Sequence, residues 1–142
     1  MPSPAEPRSG RTQYAGRTRR RARPWLWLPV FLYAAAIFLV SGTSQPPLPG
    51  SVGDKWAHAA AYAGFALLTL RAVAGGEWAG VTAGRCVMAA GLVVLYGASD
   101  ETHQAFVPRR NPDIRDLAAD AAGAIGGVAA MWLLARLRRS QR

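Results

Sequence analysis

Two short blocks of ionisable residues stand at the edges of long apolar runs in this 142-residue chain. The first is Asp54-Lys55-Trp56-Ala57-His58, followed by Tyr62. The second is Asp100-Glu101-Thr102-His103-Gln104, continuing through Arg109, Arg110 and Asp116 to Asp120. An ionisable side chain at the centre of a membrane helix costs about 2.5–3.5 kcal/mol on insertion scales, so such residues beside bilayer-length runs are candidates for a working site.

Three chemistries can use this set. In the first, a membrane enzyme acts on a lipid-linked phosphate or envelope precursor. Lys55 and Arg110 hold the anionic group, the lysine as a point charge and the arginine as a bidentate fork. His58, oriented by a carboxylate such as Asp116, is then the base or nucleophile, with Asp54 and Glu101 as further catalytic carboxylates and Asp100 or Glu101 as acid. Tyr62, Asp100, Gln104 and Asp120 join the ligand-binding wall. The glycine-rich phosphate loop is absent, so this reading rests on residue types. In the second chemistry, His58, His103, Asp54, Asp100 and Glu101 offer nitrogen and oxygen to a metal, although neither H-E-x-x-H nor paired cysteines occur. In the third, the charges form a non-catalytic lattice that braces the helices or receives a lipid or glycopeptide headgroup. No cofactor is named by these residues.

Helical spacing groups them. Asp54, His58 and Tyr62 fall at i, i+4 and i+8, Asp100 and Gln104 at i and i+4, and Asp116 and Asp120 likewise, so each set shares a helix face. Asp120 lies one turn from Asp116, and two carboxylates that close do not both ionise cheaply. Asp120 is therefore expected to pair with Arg110 or Arg109, or to stay protonated.

The elements that must carry these faces are four apolar stretches: Trp25–Val40, Trp56–Ala74, Cys86–Gly97 and Leu117–Ala135. A span needs roughly 20 apolar residues. Hydrophobic residues make up 51% of the chain, yet mean hydropathy is only +0.06 because the ends are polar. Val30–Val40 and Ala121–Ala135 carry no charge on any face, which a soluble amphipathic helix would. The expected fold is all-α, a bundle of four transmembrane helices. Basic residues crowd before Trp25 and after Ala135, and the positive-inside rule puts both ends in the cytoplasm. Four spans then bring both polar blocks to the outer face of a bacterial plasma membrane, as one cleft. The first run reads as a retained helix rather than a cleaved signal.

A net charge of +9 would suit nucleic acid. Eleven of the seventeen basic residues, however, lie in the two tails, where membrane orientation accounts for them. The expected partners are the bilayer and an anionic lipid or peptidoglycan precursor, with no nucleic acid. Residues 1–24 read as a disordered basic tail, residues 25–135 as the membrane domain and residues 136–142 as a second basic tail. Gly75-Gly76 should end the second helix. Asn111-Pro112 should cap and open the fourth, with Asp113 in its first turn favoured by the helix dipole. Gly123 and Gly127 form a G-x-x-x-G pair that permits close packing. The lone Cys86 packs as a small apolar residue.

These residues resemble the VanZ-like family of small bacterial membrane proteins. Its pattern is Asp-Lys-x-x-His with a following Tyr, then Asp-Glu-x-x-Gln-x-Phe-x-Pro-x-Arg, then Asp-x-x-x-Asn-x-x-Gly. Here it reads Asp54, Lys55, His58 and Tyr62; Asp100, Glu101, Gln104, Phe106, Pro108 and Arg110; and Asp116, Asp120 and Gly123. The turn holding Gln45 fits as well. Two positions depart: Arg109 stands where the family usually has Gly, and Asp120 where it usually has Asn. The resemblance implies a multi-pass membrane protein of the cell envelope, in a family named for a glycopeptide-resistance accessory gene. It implies no particular reaction.

Overall fold

The computed structural model describes residues 23–43, 52–110 and 112–141. The basic stretch before Arg23 and the turn with Gln45 lie outside these residues. A 3-10 turn at Pro24–Trp27 leads into α1 (Leu28–Ser41). There follow α2 (Val52–Val73), a second 3-10 turn at Trp78–Gly80, α3 (Ala83–Gln104) and α4 (Ile114–Ser140). The described chain is all-α.

Local chemistry explains each boundary. Pro24 and Pro29 stand at helix starts, where a missing N–H costs nothing. The α2 helix stops where Gly75 and Gly76 take φ of 73° and 77°, and the Gly76 amide donates to the Arg71 carbonyl at 2.9 Å. Thr82 caps α3 through its hydroxyl. The α4 cap is Asp113, whose side chain accepts the Arg115 amide at 2.9 Å. The helix thus starts at Ile114, two residues later than a helix opening at Pro112. The carboxylate of Asp113 ties down a free N–H of the first turn there, as an N-cap should. At its other end α4 runs on through Arg136, Arg138 and Arg139.

Neighbouring helices alternate in direction, so α2 and α4 run parallel. Their register is read from successive pairs: Lys55 with Asp116, His58 with Asp120, Ala59 against Gly123 and Ala63 against Gly127. This is the most extensive helix contact in the molecule. A Cβ at Gly123 would lie 2.8 Å from the Ala59 Cα, so the bare backbone of glycine is what allows the approach. The core then fills with Tyr62, Phe65 and Leu70 of α2, Val93 of α3 and Val128 of α4. The α1 helix is tied to α3 by two polar bonds, Tyr96 Oη to the Ala34 carbonyl (2.6 Å) and Ser41 Oγ to Asp100 Oδ1 (2.6 Å).

The two ends of the bundle differ. At one end Arg71 lies over Trp25, Arg138 over Trp78, and Arg139 reaches the Val81 carbonyl. The start of α1, the α2–α3 connection and the end of α4 therefore meet there. Both polar blocks lie at the opposite end. Among the described residues two helices are long and apolar enough to cross a membrane, Pro24–Ser41 and Ile114–Ser140.

Candidate functional site

Three helices converge on Asp120. His58 Nδ1 and Asp120 Oδ1 are hydrogen-bonded at 2.9 Å, and Asp120 is only 1% exposed. Tyr62, one turn on from His58, buries its ring beside this pair, and its hydroxyl has no partner among the described residues. Gly97 of α3 makes the space: a Cβ there would lie 3.1 Å from the Tyr62 ring and 3.3 Å from Asp120 Oδ2.

A second group surrounds Asp100, which accepts from Ser41 at 2.6 Å and from Gln104 Nε2 at 3.1 Å. Both carboxylate oxygens of this buried aspartate are thereby satisfied. A third group is built on Lys55, which bonds Asp116 and, at 3.0 Å, Asp113. The Arg115 amide first, and Lys55 second, hold the Asp113 carboxyl below the usual carboxylate range. The Asp113 amide in turn donates to Glu101 Oε2 at 3.1 Å, which leaves Glu101 Oε1 buried and without a partner among the described residues. Arg110 Nε is likewise buried and unpartnered among them.

A cavity of about 330 Å³ opens between α1, α2 and α3. His58, Tyr62, Asp100, Gln104 and Arg110 form its polar wall, and Ile37 and Val40 of α1 face them. A donor-rich wall opposite an apolar one suits a ligand with a polar head and an apolar body.

A family model described as VanZ/LLP1 matches residues 11–135. The chain belongs to the VanZ/LLP1 family. No curated protein and no solved structure matches it. Against the VanZ-like pattern quoted above, both departures now have a geometry. Arg109 has φ of 66°, the left-handed region in which a Cβ crowds the following carbonyl. Glycine is free of that cost, which is the physical reason a family would keep it at this turn. Arg109→Gly should therefore raise stability by about 1 kcal/mol, read as a higher unfolding midpoint of the purified protein in mild detergent. An unchanged or lowered midpoint would mean that the Arg109 side chain contributes a contact of its own.

Asp120, the other departure in this VanZ/LLP1 chain, does not pair with Arg110 or Arg109 as expected; its partner is His58. Equally, the carboxylate that orients His58 is Asp120 rather than Asp116, which is taken by Lys55. Lys55 is thus committed to two carboxylates, leaving Arg110 as the cation on the cavity wall. His103 stacks on Phe38 with ring centroids 4.2 Å apart. Among the described residues no three His, Cys, Asp or Glu side chains gather as a metal set. The Asp54 side chain lies outside them. Two residues of the site were passed over in the sequence. Ser41, the last residue of α1, has the composition of an ordinary turn former, and nothing near it in the chain marks it. Gly97 shares the helical face of Asp100, Glu101 and Gln104 at i+3, i+4 and i+7, a spacing that could have marked it.

Proposed function

We propose that this VanZ/LLP1-family chain is a multi-pass bacterial plasma-membrane protein whose four helices all span, with both termini cytoplasmic. In this reading the polar cavity opens outward and binds the anionic headgroup of an envelope lipid or lipid-linked precursor. Several observations support the membrane setting. Large apolar side chains such as Phe31, Leu39, Val87 and Leu95 point outward, while Asp100, Glu101, Gln104, Asp116 and Asp120 are buried. That inverts the usual arrangement of a water-soluble protein. The α2 and α3 helices are 22 residues each, about 33 Å at 1.5 Å per residue, close to the roughly 30 Å of a hydrocarbon core. The Arg–Trp pairs at the termini end fit an interfacial belt on the positive, cytoplasmic side. Cysteine accessibility tests this topology in a Cys86→Ala background. Phe106→Cys should react with an impermeant maleimide in intact cells, and Glu77→Cys should react only after lysis. The opposite pattern would sink the orientation and the outward cavity together.

The observation that carries headgroup binding is Arg110, a cavity-lining guanidinium whose buried Nε has no partner among the described residues. A buried donor left unmatched costs free energy that an arriving anion recovers. Binding of phosphatidic acid by the purified protein in phosphatidylcholine nanodiscs is the direct test. Arg110→Gln should weaken it by about tenfold or more, and Arg110→Lys should restore only part, because lysine cannot supply the bidentate fork. Equal affinity for all three proteins would discard the proposal.

One observation favours a second reading, an enzyme acting on the same lipid. A buried carboxylate holding His58 by Nδ1 fixes the imidazole's tautomer and orientation, as catalytic histidines require. If so, His58→Gln should keep lipid binding and lose turnover of a lipid phosphate. Turnover retained by His58→Gln would take catalysis away from His58, and no turnover by the unaltered protein would leave binding as the whole function.

A further inference from the structure

The cavity at Arg110 is not the only space beside α2 that Tyr33 of α1 reaches. A second, of about 490 Å³, lies farther along α2 on a neighbouring face, against the α2–α3 connection and Met131 of α4. On α2 the first cavity is walled by Ala57, His58, Ala61 and Tyr62, and the second by residues from Gly64 to Ala74. Tyr33 of α1 belongs to both walls. Its ring stacks on Phe65 with centroids 5.8 Å apart, and its hydroxyl sits so close to Gly64 that a Cβ there would lie 3.0 Å away. At one end Leu26 and Val30 are buried, and at the other Ser41 is bonded to Asp100. Between these anchors Tyr33 is the α1 residue that the two spaces share.

The two spaces differ in chemistry. The first holds His58, Asp100, Gln104 and Arg110. The second is lined by Leu67, Leu68, Leu70, Val81 and Met131, with Arg71 and Glu77 among its lining residues. From His58 to Arg71 is thirteen residue steps on α2, about 20 Å, against about 15 Å for the hydrocarbon of one leaflet. A lipid whose head rests at Arg110 would thus find room for the whole of its chain.

We propose that the two cavities are one lipid groove partitioned by Tyr33, which takes the hydrocarbon chain of the lipid phosphate whose headgroup Arg110 holds. This rests on the headgroup reading above and adds the ligand's apolar half and its path. Chain entry brings little affinity, because bilayer tails are as apolar as leucine side chains. What the groove contributes is position: it lays the lipid along α2 with its head fixed beside His58. Tyr33 then decides how far the chain descends.

The test therefore reads location. Two n-alkyl phosphates, one with a diazirine beside the headgroup and one with it at the chain end, are photolysed with the full-length protein in phosphatidylcholine nanodiscs. Labelled peptides are mapped by mass spectrometry. The head probe should label Ile37, Val40 or Ala61, and the tail probe Leu67, Leu68, Leu70 or Met131. Arg110→Gln should reduce both by about tenfold. Tyr33→Trp should lower the ratio of tail to head labelling and Tyr33→Ala should raise it; either variant suffices if the other does not fold. Tail labelling confined to outward-facing Phe31, Leu39 or Val87, with head labelling still dependent on Arg110, would overturn the groove and leave the headgroup site standing. Head labelling indifferent to Arg110→Gln would instead overturn the headgroup site, and the groove would go with it.

Discussion

Asp120→Ala should destabilise the protein by about 1–3 kcal/mol, the cost of leaving a buried hydrogen-bonding group without its partner. Asp120 is 1% exposed and hydrogen-bonded to His58 Nδ1 at 2.9 Å. Alanine would leave that nitrogen facing the void of the buried carboxylate. Asp120→Asn should behave quite differently, at a cost of about 1 kcal/mol or less, because an amide oxygen still stands opposite Nδ1. It also restores the residue of the VanZ-like pattern. The measurement is denaturant unfolding in mild detergent for both variants, with His58→Gln as the third corner of a double-mutant cycle. If asparagine proves as damaging as alanine, the charge itself is needed, and the pair is an ion pair rather than a neutral hydrogen bond.

Gly123→Ala is the other large effect, although it adds a single methyl group. The new Cβ would overlap the Ala59 carbonyl and lie 2.7 Å from its carbon and 2.8 Å from the Ala59 Cα. Backbone atoms of a helix cannot rotate aside as a side chain can, so α2 and α4 must separate along their main contact. Overpacking of a tight interior costs about 1–3 kcal/mol, and this site belongs at the upper end. Gly126→Ala, three residues on in the same helix, is the control. Nothing lies within 4 Å of a Cβ there, so helix propensity alone should give a gain of about 1 kcal/mol. Melting temperatures of the two variants should move in opposite directions. A shift in the same direction for both would show that the α2–α4 approach is looser than its geometry implies. Because that approach sets the helix register, Gly123→Ala should also weaken the His58–Asp120 bond, visible as a changed imidazole resonance.

Much of this arrangement was legible in the residues alone, because it depends on local chemistry. The four apolar runs foretold α1 to α4, since a helix period and an uncharged stretch are properties of neighbouring positions. Gly75-Gly76 marked the end of α2 because only glycine takes φ near 75° freely. The i, i+4 spacing put His58 with Tyr62, and Asp116 with Asp120, on single faces. Gly123 and Gly127 announced a close helix contact.

What the sequence could not decide was which face meets which, and at what height. Asp116 and Asp120 lie one turn apart, about 5.4 Å, so sliding α4 by a single turn would exchange them opposite His58. That height is set by Gly123 seating on Ala59 and Gly127 on Ala63, a packing event between residues some sixty positions apart. The same register gives Lys55 to Asp116 and Asp113, and so leaves Arg110 as the cation on the cavity wall. The α4 cap moved from Asn111 to Asp113 because Asp113 reaches Arg115, Lys55 and Glu101 at once. The roles of Ser41 and Gly97 arise in the same way, one from the docking of α1 on α3 and the other from the seating of Tyr62 and Asp120 against α3. Types and spacings of residues are written along the chain. Partners are chosen by the steric fit of one helix on another, which no single segment contains.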